Sequence, residues 1–94
     1  MTMPGSKKYI VEYVAQVVEE DIPNLPKTVK NTIKKAIEMR LMVDPIGFGK
    51  PLRYSLKGHR RLRVGDYRVV YRIEPNYSKI VIVAIKHRKN VYEV

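Results

Sequence analysis

His59-Arg60-Arg61-Leu62-Arg63-Val64-Gly65-Asp66-Tyr67-Arg68-Val69-Val70-Tyr71-Arg72-Ile73 is the stretch that decides the fold. Two runs that alternate polar and apolar residues flank Gly65-Asp66, a two-residue hairpin signal, and glycine in the first turn position suits a type II′ turn. The pairing that follows sets Val64 opposite Tyr67, Arg63 opposite Arg68, Leu62 opposite Val69, Arg61 opposite Val70 and His59 opposite Arg72. Directly opposed residues share a face, and faces alternate along each strand. One face then carries Leu62, Val64, Tyr67, Val69, Tyr71 and Ile73, with Arg60 as the odd member. The other carries His59, Arg61, Arg63, Arg68, Val70 and Arg72. Like charges set opposite one another, as Arg63 and Arg68 are, weaken a sheet by roughly 0.2–1 kcal/mol. A fold has no need of such a cluster for its own stability.

Further along the chain, Lys79–Lys86 is nearly all apolar and reads as a central strand buried on both faces, with Pro75-Asn76 marking the turn before it. On the N-terminal side, Ile46–Pro51 holds Gly47, Gly49 and Pro51 and reads as a loop. Val29, Ile33, Ala36, Ile37 and Leu41 recur at helical spacing after Pro26, which suits a first helical position, and Asp44-Pro45 closes that helix. Lys27, Lys30, Lys34 and Lys35 lie off this stripe and form a solvated face. Val14, Val17, Val18, Ile22 and Leu25 give an earlier helix, bounded by Pro23 and Pro26. Lys7–Tyr13 is a short strand with Tyr9, Val11 and Tyr13 on one side. The expected fold is α+β: two N-terminal helices packed on a small antiparallel sheet, in the order β-α-α-β-β-β, as a single domain over residues 1–94.

The charge is unevenly placed. The 94 residues hold 19 Lys+Arg and 9 Asp+Glu, a net of +10, with no cysteine and no tryptophan. Residues 1–49 contain seven basic and six acidic groups, whereas residues 50–94 contain twelve basic groups and only Asp66, Glu74 and Glu93 as acids. A half-chain at +9 points to a polyanionic partner. The arginines of the hairpin then read as a surface for phosphates, which guanidinium grips in bidentate fashion; the plainer alternative is that they splay into water or find carboxylates. Lys86, His87, Arg88 and Lys89 extend the basic stretch, and Tyr92 either stacks a base or plugs the sheet edge. Without cysteine there are no disulfides or thiolate metal sites. The longest apolar run, Ile80–Ile85, is too short to cross a bilayer, so no membrane partner is expected and the cytoplasm is the expected compartment.

With these residues in view, a family resemblance emerges. Gly49-Lys50-Pro51-Leu52-Arg53, Leu56-Lys57-Gly58 and Arg61–Ile73, with the ending Ile85-Lys86-His87-Arg88-Lys89-Asn90-Val91-Tyr92, resemble the RelE branch of the RelE/ParE toxins. That resemblance implies the toxin of a type II toxin–antitoxin pair, wrapped and inhibited by a cognate antitoxin. It further implies a metal-independent endoribonuclease that cuts mRNA on the ribosome and so blocks translation. Its catalytic positions carry over to Arg61, Arg68, Arg88 and Tyr92, with His87 at the basic position before Arg88.

In chemical terms, Arg61 and Arg68 would stabilise the developing phosphorane charge, and Arg88 would hold the same phosphate or its neighbour. His87 is the candidate for proton transfer, since imidazole titrates near neutrality and arginine does not. Arg53, Lys57, His59, Arg63 and Arg72 are expected to contact RNA backbone. No metal or other cofactor is expected, given so few carboxylates in the basic half. Two other classes remain in play: a ParE-like inhibitor of DNA gyrase, and a catalytically inactive basic module that binds RNA or its antitoxin.

Overall fold

The Gly65-Asp66 pair does turn the chain in the computed structural model, which describes residues 9–53 and 56–90. Strands β3 (Arg60–Val64) and β4 (Tyr67–Glu74) pair antiparallel with Val64 opposite Tyr67, Arg63 opposite Arg68, Leu62 opposite Val69 and Arg61 opposite Val70. Gly65 has φ 60°, whereas Asp66 is not among the positive-φ residues, a combination that fits a type II′ turn and not type I′. The ladder ends at Arg60 opposite Tyr71, so the expected pairing of His59 with Arg72 does not form. Instead the His59 carbonyl accepts from Leu52 N–H at 2.9 Å, and its own N–H donates to the Leu56 carbonyl at 3.0 Å.

The sheet has five strands in the order β1-β5-β4-β3-β2, with β1 at Ile10–Tyr13, β2 at Lys50–Pro51 and β5 at Lys79–His87. β4, not β5, is its middle strand. The expectation of a wholly antiparallel sheet needs one correction, because β1 lies parallel to β5. Parallel neighbours require a long connection between them, and here the helices and the hairpin supply it.

Facing the sheet's apolar side are a π-turn, Val17–Asp21, and helix α1, Lys27–Ala36, which widens into a second π-turn at Ile37–Leu41. The wide turns show in the bonds from Ile22 N–H to the Val17 carbonyl and from Met42 N–H to the Ile37 carbonyl. The wider first turn leaves Val18 on the outside, 53% exposed, although a regular helical stripe would bury it. The second stripe behaves as expected: Ile33, Ala36, Ile37 and Leu41 are buried against Leu62, Val69, Tyr71, Ile80 and Ile82. No helix among the described residues is long and apolar enough to cross a membrane.

Ile46–Pro51 is not only loop. Asp44 caps a single helical turn, α2 (Pro45–Phe48), its Oδ1 accepting from Gly47 N–H at 3.0 Å, with Pro45 in the first turn where a missing N–H costs nothing. β2 then pairs Lys50 with Arg61 and Pro51 with Arg60.

Candidate nucleic-acid interface

Strand alternation builds the basic surface. Arg61 and Arg63 on β3, Arg68 and Arg72 on β4, and Lys86 on β5 all project from the sheet face away from the helices, as their cross-strand partners require. Arg63, Arg68 and Lys86 form one row across three strands, since Arg68 is opposed by Arg63 on one side and by Lys86 on the other. Arg68 is only 8% exposed, which makes it one of two buried charged side chains among the described residues. Arg61 stands diagonal to it, at the roughly 7–8 Å spacing of such neighbours in an antiparallel pair. The Arg68 Nη1 donates to the Tyr67 carbonyl at 3.5 Å.

Lys86, Arg72 and Arg88 have acidic partners within the chain. Lys86 Nζ bonds Asp21 Oδ1 at 2.7 Å, and Asp21 Oδ2 also accepts from Ile85 N–H at 2.9 Å. Asp21 thus satisfies β5 beyond the point where β1 ends, in place of a further strand. Arg72 Nε and Nη2 both lie 3.3 Å from Glu74 Oε2. Arg88 donates its backbone N–H to the Asp66 carbonyl at 2.7 Å, and its Nε lies 3.8 Å from Asp66 Oδ1. These contacts hold Arg88 at the turn end of the hairpin, two residues past the lysine that opposes Arg68.

The structure therefore brings Arg61, Arg63 and Arg68 together, with Arg88 at the same end of the sheet. His87 it places elsewhere. His87 is directly opposite Tyr67 and so belongs to the helix side, not the arginine side. Its ring meets Tyr67 edge-on with centroids 5.2 Å apart, and Nδ1 accepts from Lys89 N–H at 3.2 Å. The cause is an irregularity in the β4–β5 ladder. Tyr71 pairs with Ile82 but Val70 with Ala84, leaving Val83 as an extra residue. A one-residue slip reverses every side chain beyond it. Without it, His87 rather than Lys86 would face the arginines.

His59 lies just ahead of β3 with its Nδ1 buried, while Arg53 and Lys57 are exposed in the segment before it, at the far end of β3 from the turn. Tyr92 lies outside the described residues.

The sequence reading missed a strap beneath this surface. Arg60, the odd residue on the apolar face, donates from Nη2 to the carbonyls of Ile46 at 2.8 Å and Gly49 at 2.9 Å. The buried Tyr71 hydroxyl donates to the Pro45 carbonyl at 2.6 Å. Burial raises the Tyr71 pKa above its ordinary value of 10.0, an effect the neighbouring Arg60 guanidinium opposes. A side chain on Gly49 would overlap the Tyr71 hydroxyl, so glycine is needed for this approach. The one sequence signal for the strap was a single arginine on an otherwise apolar strand face.

An α+β sheet with its helices on one side is the architecture of the RelE-like toxins. The chain matches the RelBE2 toxin–antitoxin complex of Mycobacterium tuberculosis with a TM-score of 0.82 at 29% identity, covering 90% of this chain and 97% of that one. The archaeal RelE–RelB complex of Pyrococcus horikoshii matches with a TM-score of 0.68 at 27% identity, over 89% of this chain and 99% of that one. Toxin RelG of Mycobacterium tuberculosis is 31% identical over 84 residues, which is 89% of this chain and 95% of RelG. Residues 4–92 match the family described as ParE toxin of type II toxin–antitoxin system, parDE. The chain belongs to the RelE/ParE family of type II toxin–antitoxin toxins.

Proposed function

We propose that this toxin is a metal-independent endoribonuclease that cleaves mRNA on the ribosome, and that a cognate antitoxin with an acidic, amphipathic segment restrains it. The observation that carries this reading is the row Arg63–Arg68–Lys86 with Arg61 beside it. It sets a mostly buried guanidinium, the exposed Arg63 and the half-buried Arg61 around one phosphodiester, with Lys86 held beside them by Asp21. In the reaction, the ribose 2′-oxygen forms a bond to phosphorus and the 5′-oxygen leaves, each exchanging a proton with its surroundings. Arg61 and Arg68 stabilise the charge that builds on the phosphorus oxygens, and Arg88 grips the adjoining phosphate. Tyr92 is assigned the base next to the cut. With His87 on the opposite side of the sheet, this chain contributes alignment and charge stabilisation rather than a histidine base, and ribosomal groups take part in the proton exchange.

The 31% identity to Toxin RelG and to Toxin RelE of Mycobacterium tuberculosis supports the RelE reading over gyrase inhibition, although the matching family is described by the name ParE. The RelB partners named in the two matched complexes support an antitoxin here. Mapping cleavage of mRNA on programmed ribosomes tests the proposal. Arg68→Ala is expected to slow cutting by about 10²–10³-fold, as loss of one preorganised charge-stabilising donor does. Cutting at the wild-type rate by both Arg68→Ala and Arg88→Ala would remove the site assignment, and inhibition of supercoiling without RNA cleavage would favour the gyrase reading.

A further inference from the structure

The chain's only phenylalanine, Phe48, is 50% exposed, and it lines a cleft of about 170 Å³ with Arg40, Lys50, Arg61, Leu62 and Arg63. Four of the six lining residues are cations and none is acidic. Lys50 sits directly opposite Arg61 across the β2–β3 pair, so the ring stands at the edge of the arginine surface. The segment that presents Phe48 is fixed from several sides. The Pro45, Ile46 and Gly49 carbonyls accept from Tyr71 and Arg60, and the Asp44 carboxylate accepts from Gly47 N–H. With bonds on both sides of it in the chain, Phe48 is held at the surface. A half-exposed ring on a fixed backbone segment, among guanidinium and ammonium groups, matches the chemistry of a nucleotide, whose base stacks on the ring while its phosphates meet the cations.

We propose that Phe48 is a stacking platform for an RNA base, adjacent to the phosphates held by Arg61 and Arg63; this rests on the ribonuclease reading. The competing occupant is an apolar side chain of the antitoxin. Phe48 also lines a larger groove of about 450 Å³, whose walls include Ala36, Met39 and Val64. The concentration of cations on the Arg61 side favours the nucleotide.

The chain has no tryptophan, so Phe48→Trp installs a single indole as reporter. The probe is a short single-stranded oligoribonucleotide carrying 2′-O-methyl groups, which binds without being cut. Its binding is expected to quench the indole emission. Phe48→Tyr retains a ring and is expected to bind within about twofold of wild type, whereas Phe48→Leu, apolar but without a π face, weakens binding about 5- to 100-fold. Melting curves establish that each variant folds. Equal binding by wild type and Phe48→Leu, with unchanged indole emission, would overturn the stacking role while leaving the ribonuclease reading intact. Failure of the wild-type chain itself to bind the oligoribonucleotide would overturn the stacking role, whereas the absence of mRNA cleavage on programmed ribosomes would overturn the ribonuclease reading.

Discussion

Arg60 and Arg61 are adjacent in the chain and opposite in use. Arg60 turns to the helix side and spends its donors on two carbonyls, fixing α2 and the start of β2 against the sheet. Arg61 turns to the other side, where arginine faces arginine across the hairpin and Lys86 follows. The two sides of one sheet thus handle cations by different rules. On the helix side the Arg60 Nη2 and the Tyr71 hydroxyl meet fixed neutral carbonyls, and the arrangement stabilises the fold. On the other side cations stand in a row across three strands, and two of that face's cations, Lys86 and Arg72, are paired with Asp21 and Glu74.

Substitutions can break this contrast. Arg60→Ala strands two carbonyls and is expected to lower stability by about 1.5–3 kcal/mol, as loss of charge-assisted hydrogen bonds does; urea unfolding measures it. Arg63→Ala, at an exposed position on the same face as Arg61, is expected to change stability little in that assay. Equal losses would mean that the arginine surface is structural.

Salt sharpens the contrast further. For single-stranded RNA each phosphate contact adds about 0.7 to the slope of log affinity against log salt. Arg63→Ala should lower the slope by about that amount. Arg72→Ala should leave it unchanged, because Glu74 already neutralises Arg72. An equal drop for both would show that Arg72 leaves Glu74 to reach a phosphate.

The smallest effect concerns the strap. Burial raises the Tyr71 pKa above 10.0, so the fold favours the protonated hydroxyl. The stability this contributes is complete below the ordinary tyrosine value and is lost as pH rises through the folded-state value. Stability should therefore decline as the solution is made more alkaline than about pH 10, and Tyr71→Phe should flatten part of that decline. Tyr13, raised in the same direction by its own burial, accounts for a further part. A decline unchanged by Tyr71→Phe would place the titrating group elsewhere.

Much of this was legible in residues close together in the chain. Gly65-Asp66 announced the hairpin and its turn type, period-two alternation separated Arg61, Arg63 and Arg68 from Leu62, Val69 and Tyr71, and the stripe from Val29 to Leu41 gave α1. Asp44-Pro45 marks the end of a helix in the sequence yet also starts α2 in the structure, because Asp before Pro serves equally as stop and as cap. Asp21 gave no signal. It lies in a helical segment beside two glutamates, and only the chain's return along β5 brings Ile85 and Lys86 to it.

Local pattern along the chain was enough for the hairpin, the long helix, the split of charge between the two halves and the family, since periodicity, turn chemistry and composition are local properties. Tertiary structure alone decided that β1 runs parallel to β5, that Phe48 stands beside Arg61, and that His87 turns away from the arginines. The last of these follows from the extra residue at Val83, and an extra residue exists only relative to the strand it pairs with.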